Sequence, residues 1–361
     1  MELTPQPISA PHTPHRSMSR RLVECVPNFS EGKDEAVIAK ISAAIVAVEG
    51  VTLLDVDMGA DFHRTVVTMV GEPDPILKAA LDATQIALEL IDMSTHKGEH
   101  ARMGAVDVVP FIPISGVSME ECVNLARRYG EIASERFGLP IYLYAEAAIS
   151  EQRVKLPDIR RGEYEGLREK ILQPEWVPDF GPAEFKRTMG ATATGARNIL
   201  IAYNVNLDTD DKSAANRIAG RLRTSGVLKK DENGEKIIGT DGSPERIPGR
   251  FDALQGAGWM YDESTAQVSM NLLDHGKTGL HTVTEAIRNE AATLGLRTTA
   301  GELVGLVPLD AMTAAGRFYH ESPESADEGS LVAAAIEGLQ LSALSPFIPN
   351  NRIIEFAAEG V

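Results

Sequence analysis

The sequence has few cysteines, few aromatic residues and no long apolar stretch. Only two of its 361 residues are cysteines, and Cys25 and Cys122 both lie in apolar patterns. This number excludes a disulfide framework, and we expect buried thiols in a reducing compartment, the cytoplasm. Because no uninterrupted apolar run approaches the ~20 residues that a membrane helix needs, we also expect no membrane partner.

Basic residues are scarce relative to acidic ones. The chain has 35 lysines and arginines against 52 aspartates and glutamates, which gives a formal net charge of -17. Proteins that bind nucleic acids need a basic surface to neutralise phosphates, so this balance argues against a nucleic-acid partner. An anionic small ligand would have to meet a local basic cluster within the negative field of the whole protein.

The N-terminal segment lacks the apolar core of a signal peptide. Residues 1–21 contain four prolines and several histidines and arginines. We expect a disordered leader here, with a short transit peptide as the less favoured alternative. Met18 is our candidate for the natural start, because patterned sequence begins at Leu22.

The hydrophobic patterns predict an α+β protein with a duplicated unit. Between Leu22 and Tyr144 the order is β-α-β-β-α-β with an added helix and strand, and β-α-β-β-α-β returns between Ile199 and Tyr319. This order is typical of the ferredoxin-like arrangement, so we predict two tandem ferredoxin-like subdomains with antiparallel or mixed sheets. Their predicted bounds are 22–198 and 199–345. Residues 346–361 form a predicted tail with one strand around Ile353.

One polar stretch, residues 92–107, lies between a predicted helix and a predicted strand. It contains His96, His100 and Arg102 among glycines and further charged residues. Histidine titrates near neutral pH, so either His96 or His100 is a candidate to move a proton between two amines. Asp57 ends the second predicted strand, and our hypothesis is that it orients the imidazole. The alternative is an ordinary solvated loop.

The same stretch matches the H-x-x-E-H pattern of inverted zinc peptidases, from His96 to His100. That metal site needs both histidines one turn apart on a helix, and Gly98 together with the strand that follows disfavours a helix. We therefore expect no metal, and a zinc hydrolase stays a less favoured alternative. His63, in the link before the third strand, is a further candidate to face this site.

The segment 150–197 is the most basic part of the acidic chain. It holds nine lysines and arginines, with Trp176, Phe180 and Phe185 among them, before a glycine-containing run at 190–195. Flat rings beside cations suit a planar aromatic ligand that carries carboxylates. The alternative is a solvated connector between the two halves.

These segments together resemble the glutamate formimidoyltransferase family, which includes the transferase half of formimidoyltransferase-cyclodeaminases. The matching motifs run in order from about residue 22 to residue 319 and include VECVPNFSEGKDEAVI, LLDVDMG, LIDMSTHKGEHARMGAVDVVPFIP, PDFGPAEF and GATATGARNILIAYNVNL. The resemblance implies two ferredoxin-like subdomains and a homodimer. It also implies transfer of the formimidoyl group from N-formimidoyl-L-glutamate to N5 of tetrahydrofolate, a step of histidine degradation with tetrahydrofolate as co-substrate.

The resemblance further implies roles for individual residues. By position in GEHARMG the catalytic histidine is His100, and its acidic partner in LLDVD is Asp57. We expect Arg64 and Arg102 to help bind the anionic substrates. The segment that contacts folate in the family corresponds to ten consecutive residues: Gly181, Pro182, Ala183, Glu184, Phe185, Lys186, Arg187, Thr188, Met189 and Gly190.

A function of a different class also fits the predicted fold. Paired βαββαβ units bind amino acids in regulatory proteins, so a non-catalytic protein that binds folate or an amino acid is the alternative to the enzyme. No cyclodeaminase half follows Val361, and we expect a separate cyclodeaminase to act downstream.

Overall fold

The computed structural model describes residues 21–98, 101–240 and 242–359. Met18 and all of the predicted leader except Arg21 therefore lie outside the described residues. Within the described ranges the chain forms two α+β units that follow one another in sequence. None of the helices in these ranges has the length and the apolar content needed to cross a membrane.

The strands of the described residues are, in chain order, β1 Leu22–Cys25, β2 Asn28–Phe29, β3 Val51–Gly59, β4 Arg64–Gly71, β5 Val106–Ser115, β6 Ile141–Ala145, β7 Thr192–Ala196, β8 Ile201–Leu207, β9 Val227–Leu228, β10 Arg246–Ile247, β11 Leu254–Met260, β12 Ala266–Leu272 and β13 Thr298–Val304. The α-helices are α1 Glu35–Val46, α2 Pro73–Leu90, α3 Met119–Phe137, α4 Leu156–Arg160, α5 Glu163–Lys170, α6 Lys212–Leu222, α7 Leu280–Thr293, α8 Leu309–Tyr319, α9 Glu328–Gly338, α10 Pro349–Arg352 and α11 Ile354–Glu359.

The first sheet has seven strands. The pair β1 and β2 lies between β4 and β5, while β3 lies outside β4. Beyond β5 the sheet continues with β7 and β6, and only these added pairings are parallel. The predicted single strand 22–29 is interrupted at Pro27, which has no N–H for the ladder.

The second sheet has four strands in the order β11, β12, β8, β13, all antiparallel. In both sheets the first strand of the unit, which in the first sheet is the interrupted pair β1 and β2, is therefore central, between the third and the fourth when the short strands β9 and β10 are left out. The predicted surface hairpin at 229–250 begins and ends at the short antiparallel strands β9 and β10. This element arrangement confirms an α+β protein.

Local signals explain where the helices of the first unit begin and end. The side chain of Asp34 caps α1, and Ser118 forms a capping box with Glu121 at the start of α3. Gly138, in the left-handed conformation, ends α3. The apolar faces of α1, α2 and α3 pack on one face of the first sheet and form its core.

The opposite face of the first sheet is only partly covered. At one end Leu22, Val70 and Ile112 join the core of the second unit. At the β6–β7 side, α4 and α5 cover the sheet through Ile159 and Leu167. Between these two contacts the sheet presents charged and polar side chains, and the candidate site is built there.

Two predicted segments differ from the structure. The glycine-containing run at 190–195, for which no strand was predicted, forms most of strand β7, because Thr192 and Thr194 are buried and donate hydrogen bonds to Val106 O at 2.6 Å and Val109 O at 2.8 Å. The predicted strand in the tail is wrong: helices α10 and α11 flank Ile353, which makes a single bridge to Val307.

Candidate functional site

The central stretch and the predicted folate segment lie against each other. Met93 N donates to Thr188 O at 2.9 Å, and Ala105 N donates to Met189 O at 2.9 Å. Gly104 and Gly190 form an antiparallel bridge. Two segments that are almost a hundred positions apart are thus joined by backbone hydrogen bonds, as a shared site requires.

The contact between them requires glycine. A Cβ atom on Gly190 would lie 2.1 Å from Met103 O, and Gly190 has φ +69°, a conformation that L side chains rarely adopt. A Cβ on Gly104 would lie 2.4 Å from Ala191 O. The two glycines therefore allow the backbones to approach more closely than any other residue would.

The predicted catalytic residue, His100, lies outside the described residues together with Glu99. The residues on both sides of it are described. Arg102 Nε donates to His96 Nδ1 at 3.3 Å, which joins the two ends of the segment that carries position 100. His100 as proton carrier stays a prediction.

His96, the other candidate proton carrier, is 8% exposed and has both ring nitrogens bonded. Its Nε2 donates to His63 O at 2.9 Å, so Nδ1 is the acceptor and the ring is neutral. Burial lowers the pKa of His96; the hydrogen bond to His63 O opposes this, and the charges of His63 and Arg102 lower the pKa further. His96 therefore has no free lone pair for a proton or for the metal of the H-x-x-E-H interpretation.

Arg102 binds two carboxylates at the start of α5. It is 5% exposed, forms a two-pronged ion pair with Glu165 at 2.6 and 2.8 Å, and contacts Glu163 at 2.9 Å. With the bond to His96, four of its five N–H donors are used by described residues. Beside it lies a cavity of about 420 Å³ that Lys97 and Gly98 also line.

A charged cluster lies on the open face of the first sheet. Asp107 is 1% exposed, accepts from Met103 N at 2.8 Å and forms an ion pair with Arg160. Burial raises the pKa of Asp107 although Arg160 and Arg64 oppose this. Asp57 is exposed on β3. Burial and the charge of Arg160 lower the pKa of Arg64, and the charge of Asp57 opposes this.

The cluster continues into a cleft between the two units. Burial raises the pKa of the Tyr144 hydroxyl, and the charges of Arg197 and Arg160 both oppose this increase. Arg197 also lines the cleft, which has a volume of about 460 Å³ and receives Arg352 from the second unit. Burial raises the pKa of Glu24, on the cleft wall, to about 7. Arginines beside an acid that is only partly ionised at neutral pH make the cleft suitable for an anionic ligand.

The family comparisons cover both units. A family model described as the formiminotransferase domain, N-terminal subdomain, matches residues 22–197, and one described as the formiminotransferase domain matches residues 202–359. The chain is 39% identical to a glutamate formimidoyltransferase of Thermoplasma acidophilum, over 88% of this chain and 97% of that protein. This chain belongs to the formiminotransferase family. The resemblance drawn from the motifs is thereby confirmed.

Two further members of the formiminotransferase family show how this chain compares in length. A glutamate formimidoyltransferase of Streptococcus pyogenes is 38% identical over 83% of this chain and 93% of that protein. A formimidoyltransferase-cyclodeaminase of Dictyostelium discoideum is 48% identical over 94% of this chain and 60% of that protein. The chain thus spans about 60% of the length of the bifunctional relative.

The three aromatic residues of the basic segment 150–197 do not all lie together in this family member. Phe185 lies 5.3 Å from the ring of Tyr164, with the guanidinium of Arg168 4.9 Å from its centre. Phe180 packs instead against the first core. Trp176 packs against the α4–α5 cluster, as Phe185 also does, so two of the three rings share one cluster and Phe180 lies apart from them.

Sequence reasoning missed Asp107 and Arg160. Asp107 was the end of the polar stretch with no role, and Arg160 was one of nine basic residues. A signal for Asp107 was present, because a carboxylate one residue inside a nearly continuous apolar strand must find a partner when buried. The partner, 53 positions away, could not be identified from spacing.

Proposed function

We propose that this chain is a glutamate formimidoyltransferase. It transfers the formimidoyl group of N-formimidoyl-L-glutamate to N5 of tetrahydrofolate, a step of histidine degradation, and releases L-glutamate and 5-formimidoyltetrahydrofolate. The observation that carries the proposal is the identity of 38–39% to two glutamate formimidoyltransferases over 93–97% of their lengths. The contact between the central stretch and the segment 181–190 supports it, because both substrates must meet at one place.

In the proposed reaction, N5 of tetrahydrofolate attacks the amidine carbon and a tetrahedral intermediate forms. His100 accepts the proton that leaves N5 and returns it to the glutamate nitrogen as the carbon–nitrogen bond to glutamate breaks. Asp57 stabilises the charged imidazole. A protonated formimidoyl group is already electrophilic, so we assign no metal and no covalent intermediate to the reaction.

The proposed binding mode uses the arginines of the open face. Carboxylates of the donor and of the folate tail bind Arg64, Arg160 and Arg197. Asp107 feels the charges of Arg64 and Arg160, and Tyr144 feels the charges of Arg160 and Arg197, so each arginine is linked to the next. Phe185 and the exposed part of the segment 181–190 contact the folate rings. Arg102 holds α5 in place, and its role in substrate binding stays a prediction.

We also infer that the two units are ferredoxin-like subdomains, 22–198 and 199–345. This inference is supported by the strand order. Counted along the chain within each unit, the antiparallel strands lie side by side in the order second, third, first, fourth. Residues 346–361 are treated as a tail, although Ile353 and Ile354 pack into the second core. The homodimer, the cytoplasmic location and the separate cyclodeaminase stay predictions, and light scattering of the purified protein tests the first.

The proposal is tested by incubating the protein with N-formimidoyl-L-glutamate and tetrahydrofolate and following glutamate release. We expect release that depends on tetrahydrofolate and saturates with both substrates. Binding of both compounds without any glutamate release would support the regulatory alternative. Release that does not need tetrahydrofolate would indicate a hydrolase and contradict the proposal.

A further inference from the structure

The ring of His63 connects three segments of the site. His63 lies in the link between β3 and β4, with φ 48°. Its Nδ1 is 2.8 Å from Lys97 O, and its Nε2 is 3.1 Å from a carboxylate oxygen of Glu31. The side chain is 15% exposed. The link, the central stretch and the turn before α1 are therefore tied together by one imidazole.

Both bonds require hydrogen on the ring. A peptide carbonyl can only accept, and an ionised carboxylate can only accept. Glu31 is ionised, since backbone N–H groups of Lys33 and Asp34 together with His63 lower its pKa, even though burial acts in the opposite direction. With two acceptors and two ring nitrogens, His63 satisfies both contacts only as an imidazolium.

The other charged groups that face His63 fit this assignment. Its ring stacks on that of His96, with 4.2 Å between centroids and 13° between planes. His96 stays neutral because its Nδ1 accepts from Arg102. Glu31 favours the proton on His63, whereas Arg102 opposes it from behind His96. Arg64 and Asp107, which have opposite charges, line the same small cavity as the two rings. The stacked pair thus carries a single positive charge, on the ring that faces the carboxylate.

The backbone beside His63 has no spare room. A Cβ on Gly98 would lie 2.5 Å from Phe62 O and 2.8 Å from the Cβ of His63. Lys97 and Gly98 therefore run in direct contact with the link, and the hydrogen bond to Lys97 O fixes them there. These two residues precede the proposed proton carrier by three and two positions.

We propose that His63 is a positioning residue whose protonated ring holds Lys97 and Gly98 in the conformation that transfer requires. The inference rests on the proposed function. When His63 loses its proton, one ring nitrogen becomes an acceptor that faces another acceptor, and one of the two contacts breaks. His100 must be neutral to accept a proton, whereas the two contacts of His63 need a charged ring, so we expect activity to pass through a maximum as the pH rises.

The test compares the pH profiles of kcat and KM for the wild type and His63→Asn between pH ~6 and ~9. Asparagine keeps one donor and does not titrate. We expect kcat about tenfold lower on the plateau, the loss of one charged hydrogen bond, little change in KM, and no decrease at alkaline pH. His275→Asn is the matched control, because His275 pairs with Asp310 at 3.0 Å in the second unit.

A second measurement does not depend on activity. In ¹⁵N NMR of the wild type, both ring nitrogens of His63 are expected to be protonated on the acid side of the decrease and to lose one proton along with it. An alkaline decrease that persists in His63→Asn, or a ring of His63 that is neutral throughout, overturns the inference while leaving the transferase proposal intact. A wild type without transfer activity contradicts the transferase proposal, and the NMR titration still reports on His63.

Discussion

Glu24 is the buried carboxyl whose removal should change stability most clearly. It is 5% exposed on β1, at the wall of the cleft between the two units. Burial raises its pKa from 4.5 to about 7; Arg197 opposes the increase and Glu355, from α11, adds to it. The folded protein therefore holds a proton on Glu24 at a pH where the unfolded chain has lost it.

The size of the effect follows from this difference. The two pKa values are about 2.5 units apart (7 minus 4.5), and each unit corresponds to about 1.4 kcal/mol, so the full effect is about 3.5 kcal/mol. Below pH 4.5 the carboxyl is protonated in both states and its ionisation has no effect. Between pH 4.5 and 7 the unfolded chain loses this proton while the folded protein keeps it, so the free energy of unfolding decreases, and above pH 7 both states are ionised and the decrease is complete.

Replacing Glu24 with glutamine removes the charge but keeps the shape and hydrogen-bonding groups. We expect Glu24→Gln to be about 3 kcal/mol more stable than the wild type at pH 8 and within about 1 kcal/mol of it at pH 5. Urea denaturation at both pH values measures this, with Glu49→Gln, at an exposed position, as the control. If Glu24→Gln and the wild type lose the same stability between pH 5 and pH 8, Glu24 is not the buried acid described here.

Two further substitutions test the walls of the site. Gly190→Ala should lower the free energy of unfolding by at least ~2 kcal/mol, because its Cβ would collide with Met103 O in a strained backbone. Gly166→Ala is the control, since nothing lies within 4 Å of the added atom. Equal melting temperatures for the two variants would refute the close approach. Asp107→Asn should cost about 3 kcal/mol, since it leaves Arg160 without its buried carboxylate. Chemical denaturation measures that cost, and a loss below ~1 kcal/mol would mean that this ion pair contributes little.

Much of the fold could be predicted from local patterns. Apolar spacing and the cap residues Ser118 and Gly138 mark α3 in the sequence as they do in the structure. Strand β7 could not be found in this way, because alternating glycine, alanine and threonine has no hydrophobic period. What makes it a strand is burial between β5 and β6, where the hydroxyls of Thr192 and Thr194 bond to backbone carbonyls. Such stabilisation depends on neighbours that are distant in sequence.

The site was predictable as a location more than as a set of contacts. The central stretch and the segment 181–190 were both singled out, and they do lie together. The partners of their side chains were not predictable: Arg102 meets Glu163 and Glu165, 61 and 63 positions away. The neutral state of His96 likewise depends on a bond from Arg102 and on burial, neither of which a histidine in a polar loop reveals.

The most direct test of the account is the rate of formimidoyl transfer by His100→Ala in a single turnover with N-formimidoyl-L-glutamate and tetrahydrofolate. Loss of general acid–base catalysis predicts a rate roughly 10²- to 10⁴-fold below that of the wild type, with tetrahydrofolate binding retained. A rate within about threefold of the wild type would contradict the assignment of proton transfer to His100.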